Sequence, residues 1–168
     1  MDAGTLLLVA LGLSMDAFAV SISNGMCFKN YGGRQVVLAA GSFGLFQGMM
    51  PVAGFLAGQL FAASIQGIDH WIALVLLGWI GGKMAVEGAR QLRHPELCPV
   101  GRQFGGRLLL VQSVATSIDA LAVGVSFAVM QVDLPLAAGL IAGTTFACCL
   151  AGGCIGRRFG DLLGRWAQ

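Results

Sequence analysis

The sequence predicts an all-α membrane protein with two inverted three-helix repeats, six spans in the full pattern and five of them in this chain. Three observations carry that prediction: apolar segments long enough to cross a bilayer, basic residues confined to alternate loops, and one motif that occurs twice. Mean hydropathy is +0.80, 57% of the 168 residues are hydrophobic and only 11% are charged, where a soluble domain carries about a quarter. Most of the surface must therefore face lipid. Glycine occurs 26 times and is spread through the apolar stretches, which suits helices that approach closely where lipid removes the hydrophobic drive between them.

An apolar segment needs roughly 20 residues, at about 1.5 Å each, to cross a hydrocarbon core of about 30 Å. The first candidate runs from about 3 to 27; it has no basic n-region and continues past Asp16, so it is a span rather than a secretory signal. The others run from about 36 to 62, 68 to 90, 107 to 130 and 134 to 156.

Lys29 and Arg34 lie between the first two spans, Arg90, Arg93, Arg102 and Arg107 between the third and fourth, and Arg157, Arg158 and Arg165 after the fifth. All nine fall on one side of the membrane. The opposite loops, Gln66 to Asp69 and Gln131 to Asp133, hold no Lys or Arg. The positive-inside rule then puts the basic loops in the cytoplasm and the N-terminus outside, in a multi-pass protein of the bacterial inner membrane.

Ser14-Met15-Asp16-Ala17-Phe18-Ala19-Val20 in the first span recurs as Ser117-Ile118-Asp119-Ala120-Leu121-Ala122-Val123 in the fourth, an offset of 103 residues that Ser23 and Ser126 share. Gly41, Gly54 and Gly58 match Gly143, Gly156 and Gly160 at an offset of 102. The unit is three spans, an odd number, so the second copy enters from the opposite face, as in transporters that alternate access around a midplane site. The chain divides accordingly into a first repeat over 1–90, a cytoplasmic loop over 91–106 and a second repeat over 107–168 that ends before its third helix.

Asp16 and Asp119 each lie about 12 residues into their spans, roughly 18 Å from opposite faces. A lone carboxylate at that depth costs at least about 2.5 kcal/mol, so two at equal depth ask for a shared explanation. Small and hydroxyl residues share their helix faces, among them Ser23 and Ser126. The alternative is that the pair hydrogen-bonds neighbouring helices.

Gln47 sits near the centre of the second span, and Pro51 four residues later displaces its carbonyl from the helix ladder. It either offers two oxygens at one point or marks an ordinary kink. Asp69 opens the third span as an exit ligand or a helix N-terminal acid. Lys83 and Glu87, one turn apart, fit an internal ion pair with a structural or coupling role.

His94, Glu96 and Cys98 form only a weak donor set in a polar loop, and Cys148, Cys149, Met49 and Met50 suit packing better than ligation. With five cysteines and no CxxC pair, no disulfide framework is expected. Oxygen donors at the midplane suit a hard divalent ion, and two carboxylates neutralise its charge. Mn²⁺ or Mg²⁺ is thus expected as cargo, with no bound cofactor.

The runs around Asp16 and Asp119, together with Asp69-His70-Trp71-Ile72-Ala73 and Gly81-Gly82-Lys83-Met84-Ala85-Val86-Glu87-Gly88, resemble the MntP family of bacterial manganese exporters, distant relatives of the LysE superfamily. That resemblance covers essentially the whole chain. It implies six spans, Mn²⁺ efflux and functional acids at Asp16, Asp119 and Asp69. Some members have glutamate where this chain has Gln47, a departure that bears on metal preference and proton coupling. The family's sixth helix would follow Gln168.

The expected activity is transport, not catalysis: Mn²⁺ held by Asp16, Asp119, Gln47 and Asp69 and released outward as the halves rock. The expected partners are a divalent ion, the lipid bilayer and, for a chain short of one helix, a second copy of itself. Basic residues without interleaved aromatics exclude nucleic acid. Two other classes fit the same architecture, an exporter of a small cationic or amino-acid solute and a non-transporting membrane scaffold.

Overall fold

The computed structural model describes residues 3–28, 30–62, 104–130 and 132–166. They form five helices: α1 Ala3–Cys27, α2 Gly33–Ala62, α3 Gly106–Thr116, α4 Ile118–Met130 and α5 Leu134–Trp166. Only helices occur among the described residues. Helices suit lipid because each satisfies its own backbone polar groups where no water is available.

Four stretches are long and apolar enough to cross a membrane: Gly4–Cys27, Gly33–Leu60, Gly106–Ala128 and Leu134–Gly160. The chain is therefore a multi-pass membrane protein, with the first, second, fourth and fifth expected spans in place. The third, over 68–90, lies outside the described residues together with Asp69, Lys83, Glu87, His94, Glu96 and Cys98.

Two boundaries differ from the sequence reading. The fourth span is not continuous: it breaks at Ser117 into α3 and α4. The fifth does not stop near 156 but continues to Trp166, so Arg157, Arg158 and Arg165 extend a helix instead of forming a loop. At 33 residues it is about 50 Å long, more than the hydrocarbon needs, and the surplus carries the arginines out at the basic end.

Burial runs opposite to a soluble fold. Leu8, Met15, Leu45, Leu60, Val111 and Leu136 face outward, while Ala10, Ala17, Ala39, Ala40, Ala120 and Ala137 are fully buried. Lipid solvates the large side chains, and small ones let backbones touch.

α5 packs along α1 and against α2, and α2 also packs on α4, whereas α1 and α2 barely touch. Equivalent glycines occupy the two outer crossings. A methyl group added at Gly54 would overlap the Leu121 carbonyl of α4, and one at Gly156 would overlap the Ile22 carbonyl of α1. Gly58 and Gly160 lie in the same crossings, at Ala128 and Gly25, while Gly41 and Gly143 meet nothing.

Two apolar clusters mark the ends. Phe28, Tyr31, Val36, Ala39, Ala40 and Phe43 gather toward the basic end with Ala17 and Cys149. Leu6, Ala10, Leu13, Ala120, Phe127, Ala137 and Ile141 gather toward the other. Cys148, Cys149 and Cys154 are free thiols; Cys27 is disulfide-bonded, which the spacing of cysteines did not signal.

Candidate functional site

The break at Ser117 originates in local hydroxyls. Thr116 Oγ1 donates to the Gln112 carbonyl at 2.9 Å, and Ser117 Oγ donates to the Ser113 carbonyl. Such back-bonding competes with the backbone ladder. Ser117 leaves helical geometry, with φ −103° and ψ 1°, and its N–H tightens onto the Val114 carbonyl at 3.2 Å. At the matching place in α1 stand Leu13 and Ser14, and that helix runs unbroken.

Asp119 therefore opens a half-helix inside the span. Its Oδ1 accepts from the Ala120 N–H at 2.8 Å, and the positive end of the α4 dipole favours a carboxylate there. Asp16, on continuous α1, lies close enough for its charge to act on Asp119. Asp16 is exposed and Asp119 half-buried.

Gln47 joins them from α2. It is fully buried, its Nε2 donates to the Leu13 carbonyl at 2.9 Å, and its Oε1 has no hydrogen-bond partner. Leu13 belongs to the helical turn that carries Asp16. The amide is thereby anchored to α1 with an oxygen to spare, and Pro51 leaves the Gln47 carbonyl without its usual helical donor.

Ser23 and Ser126 are not part of this group. Both are exposed, about 10 Å along their helices from the acids, and Ser126 Oγ donates to its own helix at the Ala122 carbonyl. Seven residues make about two helical turns, so each hydroxyl shares the helix face of its acid but is displaced from it along the axis. Asp69, Lys83 and Glu87 lie outside the described residues.

Several buried or half-buried hydroxyl residues between the helices carry further polar contacts. Ser14 Oγ donates to the Leu11 carbonyl at 2.8 Å and sits 3.4 Å from Cys148 Sγ. Ser42 and Ser113 share a hydrogen bond of 2.8 Å between α2 and α3. Thr145 Oγ1 on α5 is buried without a partner. Hydroxyls recurring in apolar spans were the available signal; their partners were not visible without the crossings.

Among the described residues no three of His, Cys, Asp and Glu come together. The donors are two carboxylates and neutral oxygens, a set suited to a hard ion and not to one that prefers thiolates. Cys149 instead packs with Ala17 and Phe43.

A family model described as "Putative manganese efflux pump" matches residues 30–168. The chain belongs to the MntP family. It is 46% identical over 162 residues to an MntP of Ruminiclostridium cellulolyticum, covering 96% of this chain and 85% of the other. Over 163 residues it is 44% identical to MntP 1 of Wolinella succinogenes, with 97% and 87% covered. MntP 2 of Clostridium botulinum is 40% identical over 175 residues, with 100% and 87% covered. No solved structure matches. In this MntP member Asp16 and Gln47 belong to the first matched segment and Asp119 to the second.

Proposed function

We propose that this chain exports a divalent metal ion, Mn²⁺ before others, across the bacterial cytoplasmic membrane, with Asp16, Asp119 and Gln47 as its midplane ligands. The observations that support the reading are that the charge of Asp16 acts on Asp119, from the other matched segment, and that buried Gln47, anchored to the Leu13 carbonyl, keeps an amide oxygen with no protein partner. Two carboxylates balance a 2+ charge, and each alone would be costly in lipid. The relatives' names point to manganese.

The packing supports alternating access between inverted repeats. The first helix of each half lies on the second helix of the other, and α2 and α5 meet between them. Matched glycines at both crossings agree with a pseudo-two-fold relation. Such halves can rock about a fixed site. The basic ends would face the cytoplasm and the N-terminus the outside, with Asp69 as a further ligand near the exit.

The test is growth in excess manganese of cells that lack their own exporter. The parent chain, expressed with any continuation its frame encodes, is expected to restore growth, and Asp16→Asn or Asp119→Asn to abolish the rescue. Full rescue by either variant contradicts the site. If Mn²⁺ movement into inverted vesicles were blocked by millimolar amino acids, the cargo would be a small organic solute instead.

A further inference from the structure

One polar contact between the halves is not used by the donor group. Asn24 near the end of α1 and Gln112 in α3 exchange two hydrogen bonds, Asn24 Nδ2 to Gln112 Oε1 at 2.9 Å and Gln112 Nε2 to Asn24 Oδ1 at 3.1 Å. Asn24 is only 2% exposed. It lies about 12 Å beyond Asp16 along α1, and Gln112 about 10 Å before Asp119 along α3–α4, so the pair lies on the basic-end side of both acids.

Just outside it, the chain is tied again. Asn30 Nδ2 donates to the Phe104 carbonyl at 3.2 Å, and the Phe104 N–H donates to Asn30 Oδ1 at 3.0 Å. The Phe104 ring meets Tyr31 and Phe28 edge-on.

The repeat maps this pair onto the other end. An offset of 103 carries Asn24 to Phe127, and the same step backward carries Gln112 to Val9. Phe127 is buried in the apolar cluster at the opposite end, and Val9 packs against that cluster. The acids thus lie between a pair of amides on one side and apolar side chains at the equivalent positions on the other.

We propose that Asn24 and Gln112 form the basic-side gate of the ion path and that Val9 and Phe127 form its repeat-related counterpart, an inference that rests on the transport reading above. The chemistry differs usefully between the ends. Water and a hydrated cation can replace both amide hydrogen bonds as the polar pair parts, so opening leaves no group unsatisfied. An apolar closure excludes water and blocks ions by staying dry. Entry of a hydrated ion is therefore easier from the basic end, as export requires.

Cys148 is a native reporter, because its thiol lies 3.4 Å from Ser14 Oγ, two residues from Asp16. Its modification by a charged, membrane-impermeant methanethiosulfonate, read by mass spectrometry in a Cys149→Ser, Cys154→Ser chain, reports water access to the acid layer. In inverted vesicles, which present the basic face, Asn24→Ala and Gln112→Ala are each expected to raise the rate about tenfold, a shift within the usual range of minor-state populations. The exchange of the two residues, Asn24→Gln with Gln112→Asn, keeps the pair and is expected to restore the parental rate. Val9→Ala with Phe127→Ala should raise the rate from the other face only.

An unchanged rate from the basic face in both alanine variants overturns the gate, and so does an equal rise from both faces, which would mean general loosening. Expected labelling in a chain that gives no manganese rescue would overturn the cargo and uphold the gate.

Discussion

At the residue scale the site depends on how each oxygen is held. Gln47 has its nitrogen committed to the Leu13 carbonyl and its oxygen uncommitted. Gln47→Leu should remove the neutral ligand and weaken Mn²⁺ binding roughly ten- to a hundredfold, the range seen when groups that support a metal are lost. Gln47→Glu should bind more tightly but slow release, because a third negative charge holds the ion. Titration of the purified variants with Mn²⁺, compared with vesicle flux, separates the two effects.

Tyr31 offers a residue-scale check of packing outside the spans. Burial, followed by the nearby Cys149 and Cys154, pushes its phenol up to about 12 from an ordinary 10. As the only tyrosine in the chain, it should titrate near 12 when phenolate absorbance is followed. The folded value is the raised one, so its contribution to stability is complete below pH 10 and is lost as pH rises toward 12. A midpoint at 10 would mean that the Tyr31–Phe104 contact is open.

At the element scale the crossings set what the sequence tolerates. Gly54→Val and Gly156→Val place atoms on backbone carbonyls of α4 and α1 that have no side-chain freedom to yield. Overpacking of this kind costs about 1–3 kcal/mol or more, so both should lose monodisperse protein after detergent extraction. Gly41→Ala and Gly143→Ala face open space and should extract like the parent. Equal behaviour of the two pairs would contradict these crossings.

The helices themselves were legible because length and hydropathy alone define a span, and four of the five segments lie where expected. The break at Ser117 was not legible. Its cause, hydroxyls at 116 and 117 bonding back to the Ser113 carbonyl, is a local competition that apolar periodicity does not register. The length of α5 was misjudged for a similar reason: arginine ends a hydrophobic run but not a helix.

At the scale of the whole molecule, the repeated Asp motif was the most informative feature of the sequence. It singled out one acid in each of two spans, and the charge of Asp16 acts on Asp119. The same repeat did not foretell Asn24 and Gln112, since its two copies differ there, amide in one place and apolar in the other. Symmetry in the sequence singled out the proposed ligands, while departures from symmetry marked the proposed difference between the two ends. Interhelical hydrogen bonds in membranes contribute about 0.6 to 2 kcal/mol each, so the amide pair can hold one arrangement and still release it.

The central claim is that Asp16 and Asp119 grip one ion together. Titrating purified chain with Mn²⁺ while following the electron paramagnetic resonance signal of the free hydrated ion tests it most directly. The parent should bind one Mn²⁺ per chain, and Asp16→Asn or Asp119→Asn should each abolish that binding. Unchanged binding in either variant, or independent partial losses that add up in the double variant, would contradict a shared site.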